Sequence, residues 1–333
     1  MSKAAVLVAR AVFPEVVRRL REHFEVEDNP GDMVFAKAEL SARLAGKRGA
    51  FTTGSERIDA AVLDANPQLR VVANMAVGYN NFDIPACTAH GVLATNTPDV
   101  LTETTADFGF ALMMAAARRL AESEHFLRRG EWRKWSYDMF TGSDIHGATL
   151  GILGMGRIGQ AIARRGALGF GMKVIYHNRS RLAPELEAPL GGRLVGKDTL
   201  LREADHLLLV LPYSAESHHA IGAAELALMK PTATLTNLAR GGIVDDAALA
   251  AALRERRIAA AALDVFEGEP KVHPDLLLVP NVVLTPHIAS ATVATRRAMA
   301  DLAADNLIAA LTGGVPPTPI NPEVLTPAKT LAA

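Results

Sequence analysis

Short apolar runs separated by polar turns recur along the chain, and each predicts a buried strand. In the first part of the sequence these runs alternate with stretches of helical character. The runs cover residues 4–9, 50–52 and 69–73, and the helical stretches cover 14–23 and 58–63. Pro14 stands at the first turn of its helix, a position that favours proline. Strands that alternate with helices predict a parallel sheet.

Two longer apolar stretches predict long helices. Residues 102–120 are apolar on nearly every side, which is typical of a buried helix, and residues 292–311 form the second. Between them a new strand–helix series begins, with a strand at 149–153, a helix at 160–168 and a strand at 173–176. The tail after Gly314 is rich in proline, and we expect it to be loosely ordered.

A glycine fingerprint lies between the strand at 149–153 and the helix that follows it. Gly154, Gly156 and Gly159 form the pattern GxGxxG. The first glycine permits a tight turn, the second lets the backbone approach a pyrophosphate, and the third lets helix and strand pack closely. The helix N-terminus then offers free N–H groups to the phosphates. The pattern predicts a dinucleotide site, and the plain alternative is a glycine-rich turn.

The residues after the second strand of this series bear on the choice of dinucleotide. An Asp or Glu there would accept the 2′-hydroxyl of NAD. The sequence instead has Asn178, Arg179 and Ser180. A guanidinium and a hydroxyl suit a 2′-phosphate. We therefore predict that NADP is preferred and NAD is possible, the alternative being an exposed basic turn.

Three more apolar runs, at 233–238, 260–265 and 282–284, are each followed closely by polar residues. These include Arg240, the acidic residues from Asp264 to Glu269, and His287. The carboxyl ends of parallel strands meet in the crevice where open α/β sheets bind ligands. A cation, an anion and a proton carrier in one crevice predict chemistry on an anionic carbonyl compound. The structural alternatives are a salt bridge at the sheet end and a solvated pair of glutamates.

Together these motifs resemble the D-isomer-specific 2-hydroxyacid dehydrogenases, and most closely the bacterial branch of glyoxylate/hydroxypyruvate reductases and 2-ketogluconate reductases. The likeness covers nearly the whole chain. It rests on the glycine loop and on the segments 76–83, 96–98, 101–107, 237–242, 263–270 and 285–290. Asn80 stands where the family often has Asp, and Ala262 where it often has Gly. Asn178 replaces the usual acid, which puts the use of NAD in doubt.

The resemblance implies an α/β architecture of two doubly wound parallel-sheet domains. A Rossmann NAD(P)-binding domain at 99–287 is expected to be inserted into a flavodoxin-like substrate domain formed by 1–98 and 288–333. The two long helices are expected to cross between the domains. The segment 131–137, which holds both tryptophans of the chain, is implied to be a homodimer element, since aromatic residues favour interfaces.

The resemblance also implies the roles of the site residues. Arg240 grips the carboxylate and the keto oxygen, His287 donates the proton, and Glu269 orients the imidazole. Val77 and Gly78 complete the substrate site with Arg240 and His287, and Asp264 holds the nicotinamide end. The implied cofactor contacts are Thr105, Gly154, Gly156, Arg157, Ile158, Gly159, Asn178, Arg179, Ser180, Pro212, Ala239, Asp264 and Ser290.

Composition narrows the remaining classes of function. The length of 333 residues suits two domains. The composition, with 49% hydrophobic and 21% charged residues, is typical of a folded protein and not of a disordered one. A net charge of −1 gives no general attraction to nucleic acid or to anionic membranes. The first apolar run is too short for a signal peptide or a membrane span, so a cytoplasmic protein is expected.

Two residue types could carry other chemistry. Cys87 is the single cysteine, and it is expected to be a small core residue because no activating group accompanies it in the sequence. The pair His218-His219 is compatible with a metal, but the sequence shows no matching cluster of carboxylates or cysteines. No metal site is therefore expected.

The predicted function is an NADPH-preferring reductase that converts small 2-keto acids (glyoxylate, hydroxypyruvate or 2-ketogluconate) to D-2-hydroxy acids. One alternative is a dinucleotide-sensing corepressor, since some relatives of this fold act in that way. Another is a phosphoglycerate-type dehydrogenase, although its longer forms carry a regulatory domain for which this chain has no room.

Overall fold

Residues 3–325 are described by the computed structural model, and their contacts divide them into two units. The first unit runs to Leu101 and resumes at Thr292, and the second unit is Thr102–Ala291. The sequence placed the corresponding limits at residues 98 and 287. Both units are built around a sheet in which every paired strand is parallel.

The first unit contains a five-stranded sheet in the order β2-β1-β3-β4-β5. This 2-1-3-4-5 order is that of flavodoxin, so the flavodoxin-like prediction is confirmed. Its strands are β1 (Ala5–Val8), β2 (Glu25–Asp28), β3 (Gly49–Thr52), β4 (Val71–Asn74) and β5 (Leu93–Thr95). Its helices are α1 (Pro14–His23), α2 (Lys37–Arg43), α3 (Ala60–Asp64), α4 (Ile84–Ala89) and α12 (Val293–Thr312).

Helix α12 packs against the central strands of this sheet. A Cβ atom added at Gly49 of β3 would lie 2.7 Å from Leu307 Cδ1, so glycine lets the helix approach the strand. Thr292 begins the helix by accepting a hydrogen bond from the Thr295 N–H at 3.2 Å. Ala300, Ala303, Ala304 and Leu307 are fully buried in the same core cluster as Val6 and Val71. The apolar pattern at 292–311 is explained by this packing.

The tail after Gly314 is anchored, so the prediction of loose order is wrong for the residues up to Leu325. The Thr318 N–H donates to Asn306 Oδ1 at 2.9 Å, and the Thr318 hydroxyl donates to the Asn96 carbonyl at 2.6 Å. The Asn321 side chain donates to the Val92 carbonyl at 3.0 Å and is 1% exposed. Hydrogen bonds of polar side chains, which composition does not reveal, hold this segment. Residues 326–333 lie outside the described part.

The second unit contains a seven-stranded sheet in the order β12-β11-β10-β9-β6-β7-β8. Numbered within the unit, this is the 3-2-1-4-5-6 order of dinucleotide-binding folds with a seventh strand added, as the Rossmann prediction required. The strands are β6 (Thr149–Leu153), β7 (Lys173–His177), β8 (Arg193–Leu194), β9 (His206–Leu209), β10 (Thr234–Asn237), β11 (Ala260–Leu263) and β12 (Val282–Leu284). The helices are α5 (Thr102–Ala117), α6 (Leu120–Arg128), α7 (Arg157–Arg164), α8 (Pro184–Glu187), α9 (Lys197–Glu203), α10 (Ala223–Leu228) and α11 (Asp246–Arg254).

The apolar stretch 102–120 forms α5, which ends earlier than predicted. Arg119 takes a left-handed conformation with φ of 52°, and α6 begins at the next residue. Half of the residues of α5 are buried, but Glu103 and Asp107 are exposed and form ion pairs with Arg164 and Arg165. The helix therefore has a narrow polar strip, which the dominant apolar pattern concealed.

Cys87 is fully buried, and burial raises the pKa of its thiol to about 12. The thiolate form is therefore negligible near neutral pH, as expected for a core residue. Within residues 3–325 no helix combines the length and the apolar character that crossing a bilayer demands.

Candidate active site

The carboxyl ends of β10, β11 and β12 are level with one another. Asn237 pairs with Leu263, and Leu263 pairs with Leu284, in parallel register. Arg240 lies three residues after the end of β10, and His287 lies three residues after the end of β12. Asp264 is the residue directly after β11. The sheet therefore brings the predicted polar residues to one edge, as the run-and-turn pattern required.

The turn that carries Arg240 is closed by Asn237. The Asn237 side chain donates to the Arg240 carbonyl at 3.1 Å and accepts from the Ala239 N–H at 3.1 Å. Nη1 of Arg240 donates to the Ala239 carbonyl at 2.7 Å. Burial lowers the pKa of the Arg240 guanidinium, and the negative charge of Glu269 opposes that shift. Arginine side chains in proteins stay protonated, so Arg240 is treated as a cation.

Glu269 and His287 form a direct pair. Nδ1 of His287 lies 2.8 Å from Oε2 of Glu269, while Oε1 of Glu269 accepts the Phe266 N–H at 2.9 Å. Burial alone would raise the pKa of Glu269, but the hydrogen bond and charge of His287, the Phe266 N–H and the charge of Arg240 together lower it. Glu269 is therefore a carboxylate at neutral pH. Its contact with Nδ1 leaves Nε2 of His287 for another partner.

Asp264 fixes the turn that carries His287. Its carboxylate is fully buried and accepts hydrogen bonds from the Thr285 hydroxyl and from the N–H groups of Ile288 and Ala289, at 2.7 to 2.8 Å. The His287 N–H also donates to the Asp264 carbonyl at 2.9 Å, and His287 is left-handed with φ of 53°. The structure thus gives Asp264 a positioning role, and its contact with a nicotinamide stays a prediction.

The loop after β6 fits a dinucleotide. Gly154 has φ of +99°, and a Cβ there would lie 2.7 Å from the Leu211 nitrogen; at Gly159 a Cβ would lie 2.5 Å from the Gly154 carbonyl oxygen. Those two glycines are required by the turn and by the approach of α7. At Gly156 a Cβ would meet no atom within 4 Å, so this position faces open space in which a side chain would obstruct a pyrophosphate.

Helix α7 starts at Arg157, three residues before the predicted start, because the fingerprint itself forms its first turn with Gly156 as the N-cap. Arg157 and Ile158 are the first two helical residues, and the positive end of a helix dipole attracts an anion. The predicted end of the helix also differs, since a π-helical turn covers Arg165–Gly169.

The turn after β7 carries the three residues that were predicted to contact the cofactor ribose. One of them is hydrogen-bonded to the glycine loop, and the other two are exposed. Oδ1 of Asn178 accepts the Met155 N–H at 3.0 Å, which ties this turn to the glycine loop. Arg179 and Ser180 are exposed. Arg181 donates twice to Oε2 of Glu187, at 2.9 and 2.7 Å. Arg179 is therefore the cation of this turn whose position leaves it available to a ligand.

Glu187 organises the wall next to this turn. Besides Arg181, it accepts the hydroxyl of the fully buried Tyr176 at 2.6 Å, and that hydroxyl accepts the Leu182 N–H at 3.0 Å. Sequence reasoning missed both this network and the capping by Asn237. An Asn directly at a strand end was a usable signal for Asn237, whereas nothing in the sequence pairs Arg181 with Glu187.

The other predicted cofactor residues occupy varied environments. Thr105 on α5 and Ala239 in the Arg240 turn are buried, Ser290 is partly buried, and Pro212 is exposed after β9. Pro212 directly follows Leu211, the residue that packs against Gly154. The structure thus places Pro212 beside the glycine loop.

Val77 and Gly78 belong to the first unit, in the loop after β4. The Val77 carbonyl accepts the Asn96 side chain at 2.8 Å, and the Gly78 carbonyl accepts the Asn74 side chain at 3.1 Å. Asn81 in turn donates to the carbonyl groups of Thr53 and Glu56. The carbonyl groups of the loop are thereby held, and none of the hydrogen bonds within residues 3–325 uses the N–H groups of Val77 or Gly78.

Comparisons with known proteins agree with this geometry. Residues 110–289 match the family described as D-isomer specific 2-hydroxyacid dehydrogenase, NAD binding domain. The chain is 51% identical over 327 residues to glyoxylate reductase of Thermococcus onnurineus, covering 97% of each. It is 48% identical to glyoxylate reductase of Aeropyrum pernix, covering 98% of each. It also resembles the NADPH-dependent glyoxylate/hydroxypyruvate reductase of Sinorhizobium meliloti, solved with NADP and malonate, with a TM-score of 0.85, 38% identity and coverage of 96% and 97%.

Proposed function

We propose that this chain, which belongs to the D-isomer-specific 2-hydroxyacid dehydrogenase family, is an NADPH-preferring reductase of small 2-keto acids. Membership makes it an NAD(P)-dependent oxidoreductase. The proposed substrates are glyoxylate and hydroxypyruvate, with 2-ketogluconate as the larger candidate. The single observation that carries the proposal is the cluster of Arg240, Glu269 and His287 beside three level strand ends.

The chemistry follows from these three side chains. The keto oxygen and carboxylate of the substrate bind the guanidinium of Arg240, whose planar fork suits paired oxygens and polarises the carbonyl. The hydride that C2 accepts comes from the reduced nicotinamide when that cofactor is bound. Nε2 of His287 donates the proton that the new alkoxide requires. The product is a 2-hydroxy acid, and His287 regains its proton from solvent.

Glu269 has two tasks in this proposal. Its hydrogen bond at 2.8 Å fixes the imidazole plane, and its carboxylate lies against the ring that donates the proton. The backbone N–H groups of Val77 and Gly78 are the proposed further donors to the substrate carboxylate. Their carbonyl groups are fixed by Asn96 and Asn74, which holds the N–H groups in a defined orientation.

The preference for NADPH rests on the turn after β7. No carboxylate stands at positions 178–180 to repel a 2′-phosphate. The guanidinium of Arg179 and the hydroxyl of Ser180 are the proposed donors to that phosphate, while Arg181 is held by Glu187. NAD lacks the phosphate and would gain nothing from Arg179, so NADH is expected to serve as a weaker cofactor.

We also propose that the protein is a homodimer. The segment 131–137 exposes its aromatic residues, with Trp132 55%, Trp135 76% and Tyr137 83% exposed. Large exposed aromatic side chains are typical anchors of protein interfaces. Light scattering of the wild type should give twice the chain mass, and a monomeric wild type would refute the dimer. A Trp135→Ser variant, measured in the same way, tests whether this side chain is an anchor of the interface.

Oxidation of NADPH or NADH by the purified full chain tests the proposed activity. The substrate panel is glyoxylate, hydroxypyruvate, 2-ketogluconate and, as the rival, 3-phosphohydroxypyruvate. We expect turnover of glyoxylate or hydroxypyruvate, with kcat/KM higher for NADPH by roughly 10- to 100-fold. Turnover of the phosphorylated substrate alone would favour a phosphoglycerate-type enzyme. Cofactor binding with no turnover of any substrate would favour a binding protein.

A further inference from the structure

Two histidines and a glutamate that lie far apart in the sequence meet at the surface of the second unit. One ring nitrogen each from His218 and His219 and one carboxylate oxygen of Glu267 lie within 4.8 Å of one another. Nε2 of His219 is 2.9 Å from Oε2 of Glu267, and the two imidazole rings stack with centroids 3.9 Å apart. The proposed reduction uses none of these side chains.

The backbone holds both histidines in place. The His219 N–H donates to the Gly242 carbonyl at 2.7 Å, and His219 is left-handed with φ of 48°. Non-glycine residues in this conformation persist where the surroundings determine it, and they are common at functional sites. A Cβ at Gly242 would lie 3.4 Å from Nδ1 of His218, so this glycine leaves room for the ring. The two imidazoles are thus presented on a fixed turn.

The Nδ1 atom of His218 has a hydrogen-bonded partner, and the Nδ1 atom of His219 faces a carboxylate beyond hydrogen-bond distance. Nδ1 of His218 lies 3.2 Å from the Tyr213 hydroxyl, and Nδ1 of His219 lies 4.0 Å from a carboxylate oxygen of Asp245. Histidines that bind a metal typically donate their other N–H to such a group, which fixes the tautomer and leaves the second nitrogen as the ligand. For His218 this leaves Nε2 as the ligand atom, and for His219 Nε2 is the nitrogen that already contacts Glu267.

We propose that His218, His219 and Glu267 form a binding site for a divalent transition metal of the zinc class. Two imidazole nitrogens and one carboxylate oxygen are a usual protein ligand set for zinc, with water in the fourth position. Zinc–ligand bonds of roughly 2.0–2.2 Å place neighbouring ligand atoms roughly 3.3 Å apart in a tetrahedron. Binding requires the two stacked imidazole rings to rotate so that their nitrogen lone pairs converge on the ion, and the ion replaces the proton between His219 and Glu267.

Such an ion would connect two loops of the candidate active site. His218 and His219 lie after β9, next to the turn that follows Arg240, and Glu267 lies two residues before Glu269. A bound ion would restrain the loop that carries Glu269, so the site would stabilise the second unit. It is separate from the proposed substrate chemistry and does not depend on the identity of the keto acid.

Calorimetric titration of zinc chloride into the tag-free, EDTA-treated full chain tests the site. The variants are His219→Gln, His218→Gln and Glu267→Gln, and the matched control is His23→Gln, an exposed histidine of α1. We expect one ion per chain in the wild type and the control. Each ligand variant should lose that binding, and Tyr213→Phe should weaken it roughly 10- to 100-fold.

Thermal unfolding gives a second readout on the same proteins. At a zinc concentration about 100 times the Kd, the wild type should melt roughly 5 °C higher, and the ligand variants should show no shift. Absence of saturable binding by the wild type would overturn the proposal. Binding that persists unchanged in all three ligand variants, with their fold verified by circular dichroism, would also overturn it.

Discussion

Arg179→Ala should separate the two cofactors, because Arg179 is the arginine of the β7 turn that the fold leaves available. Asn178 accepts the Met155 N–H at 3.0 Å, and Arg181 is bound twice by Glu187. A charge-assisted hydrogen bond contributes about 1.5–3 kcal/mol. Because Arg179 is exposed, we expect a contribution near the lower end of this range unless the guanidinium binds the phosphate through two N–H groups. At about 1.4 kcal/mol per tenfold, the variant should bind NADPH roughly 10- to 100-fold more weakly.

The assay is a titration of each reduced cofactor, with Kd taken from nicotinamide fluorescence in the absence of substrate. The matched control is Arg181→Ala, which removes the same charge two residues away. Because Arg181→Ala also leaves Glu187 without its ion-pair partner, the decisive comparison is between the two cofactors in Arg179→Ala, where a loss confined to NADPH indicates direct contact with the phosphate. An equal loss of NADH and NADPH affinity in Arg179→Ala would refute the assignment.

Two further substitutions test the catalytic cluster. Arg240→Ala should raise KM for glyoxylate and lower kcat together, because one guanidinium both binds and polarises the substrate; steady-state kinetics with unchanged KM would contradict this. Glu269→Gln tests how stability depends on pH. In the folded protein the pKa of Glu269 lies below its ordinary value of 4.5. The carboxylate therefore contributes its full stabilisation above pH 4.5 and loses it as the pH falls through the lower folded-state pKa. The difference in melting temperature between wild type and Glu269→Gln should therefore be largest near neutrality and shrink in acid, and a difference that does not depend on pH would contradict the pairing.

The sequence predicted the strands well because parallel strands buried on both faces are continuous apolar runs. β6 and β12 have the predicted limits, and β10 and β11 lie within the predicted runs. Strands β5, β8 and β9 were not predicted, and neither was the edge strand β2, Glu25–Asp28. Three of the four residues of β2 are acidic, and it is only partly buried, so no apolar period marks it. The helices α2, α4, α6 and α8 to α11 were also missed, because helices of nine residues or fewer show little helical periodicity.

The positions of site residues could be predicted only where the apolar runs of the sequence marked the end of a strand. Residues shortly after strand ends, such as Arg240 and His287, could be placed from the topology of parallel sheets. Hydrogen bonds between distant segments could not, because no local period encodes them. Asp264 illustrates the difference. Its position was predicted, but its bonds to the turn that carries His287 emerged only from the fold.

The cluster of His218, His219 and Glu267, for which a metal ion is proposed, shows the same limit more sharply. His218 and His219 are visible in the sequence, and the absence of neighbouring carboxylates argued against a site. The fold supplies Glu267 from a loop 48 residues away from His219. Strand order decides this meeting: β9, β10 and β11 are adjacent, so the loops that follow β9 and β11 meet around the turn after β10.

The most direct test of the central claim is kcat for glyoxylate reduction with NADPH by His287→Ala, measured beside the wild type. Loss of the proton donor should lower kcat by roughly 10²- to 10⁴-fold, the usual contribution of general acid catalysis. The Kd for NADPH should be unchanged, because the glycine loop and Arg179 are untouched. A His287→Ala variant that keeps near-wild-type kcat while binding NADPH normally would contradict the proposed mechanism.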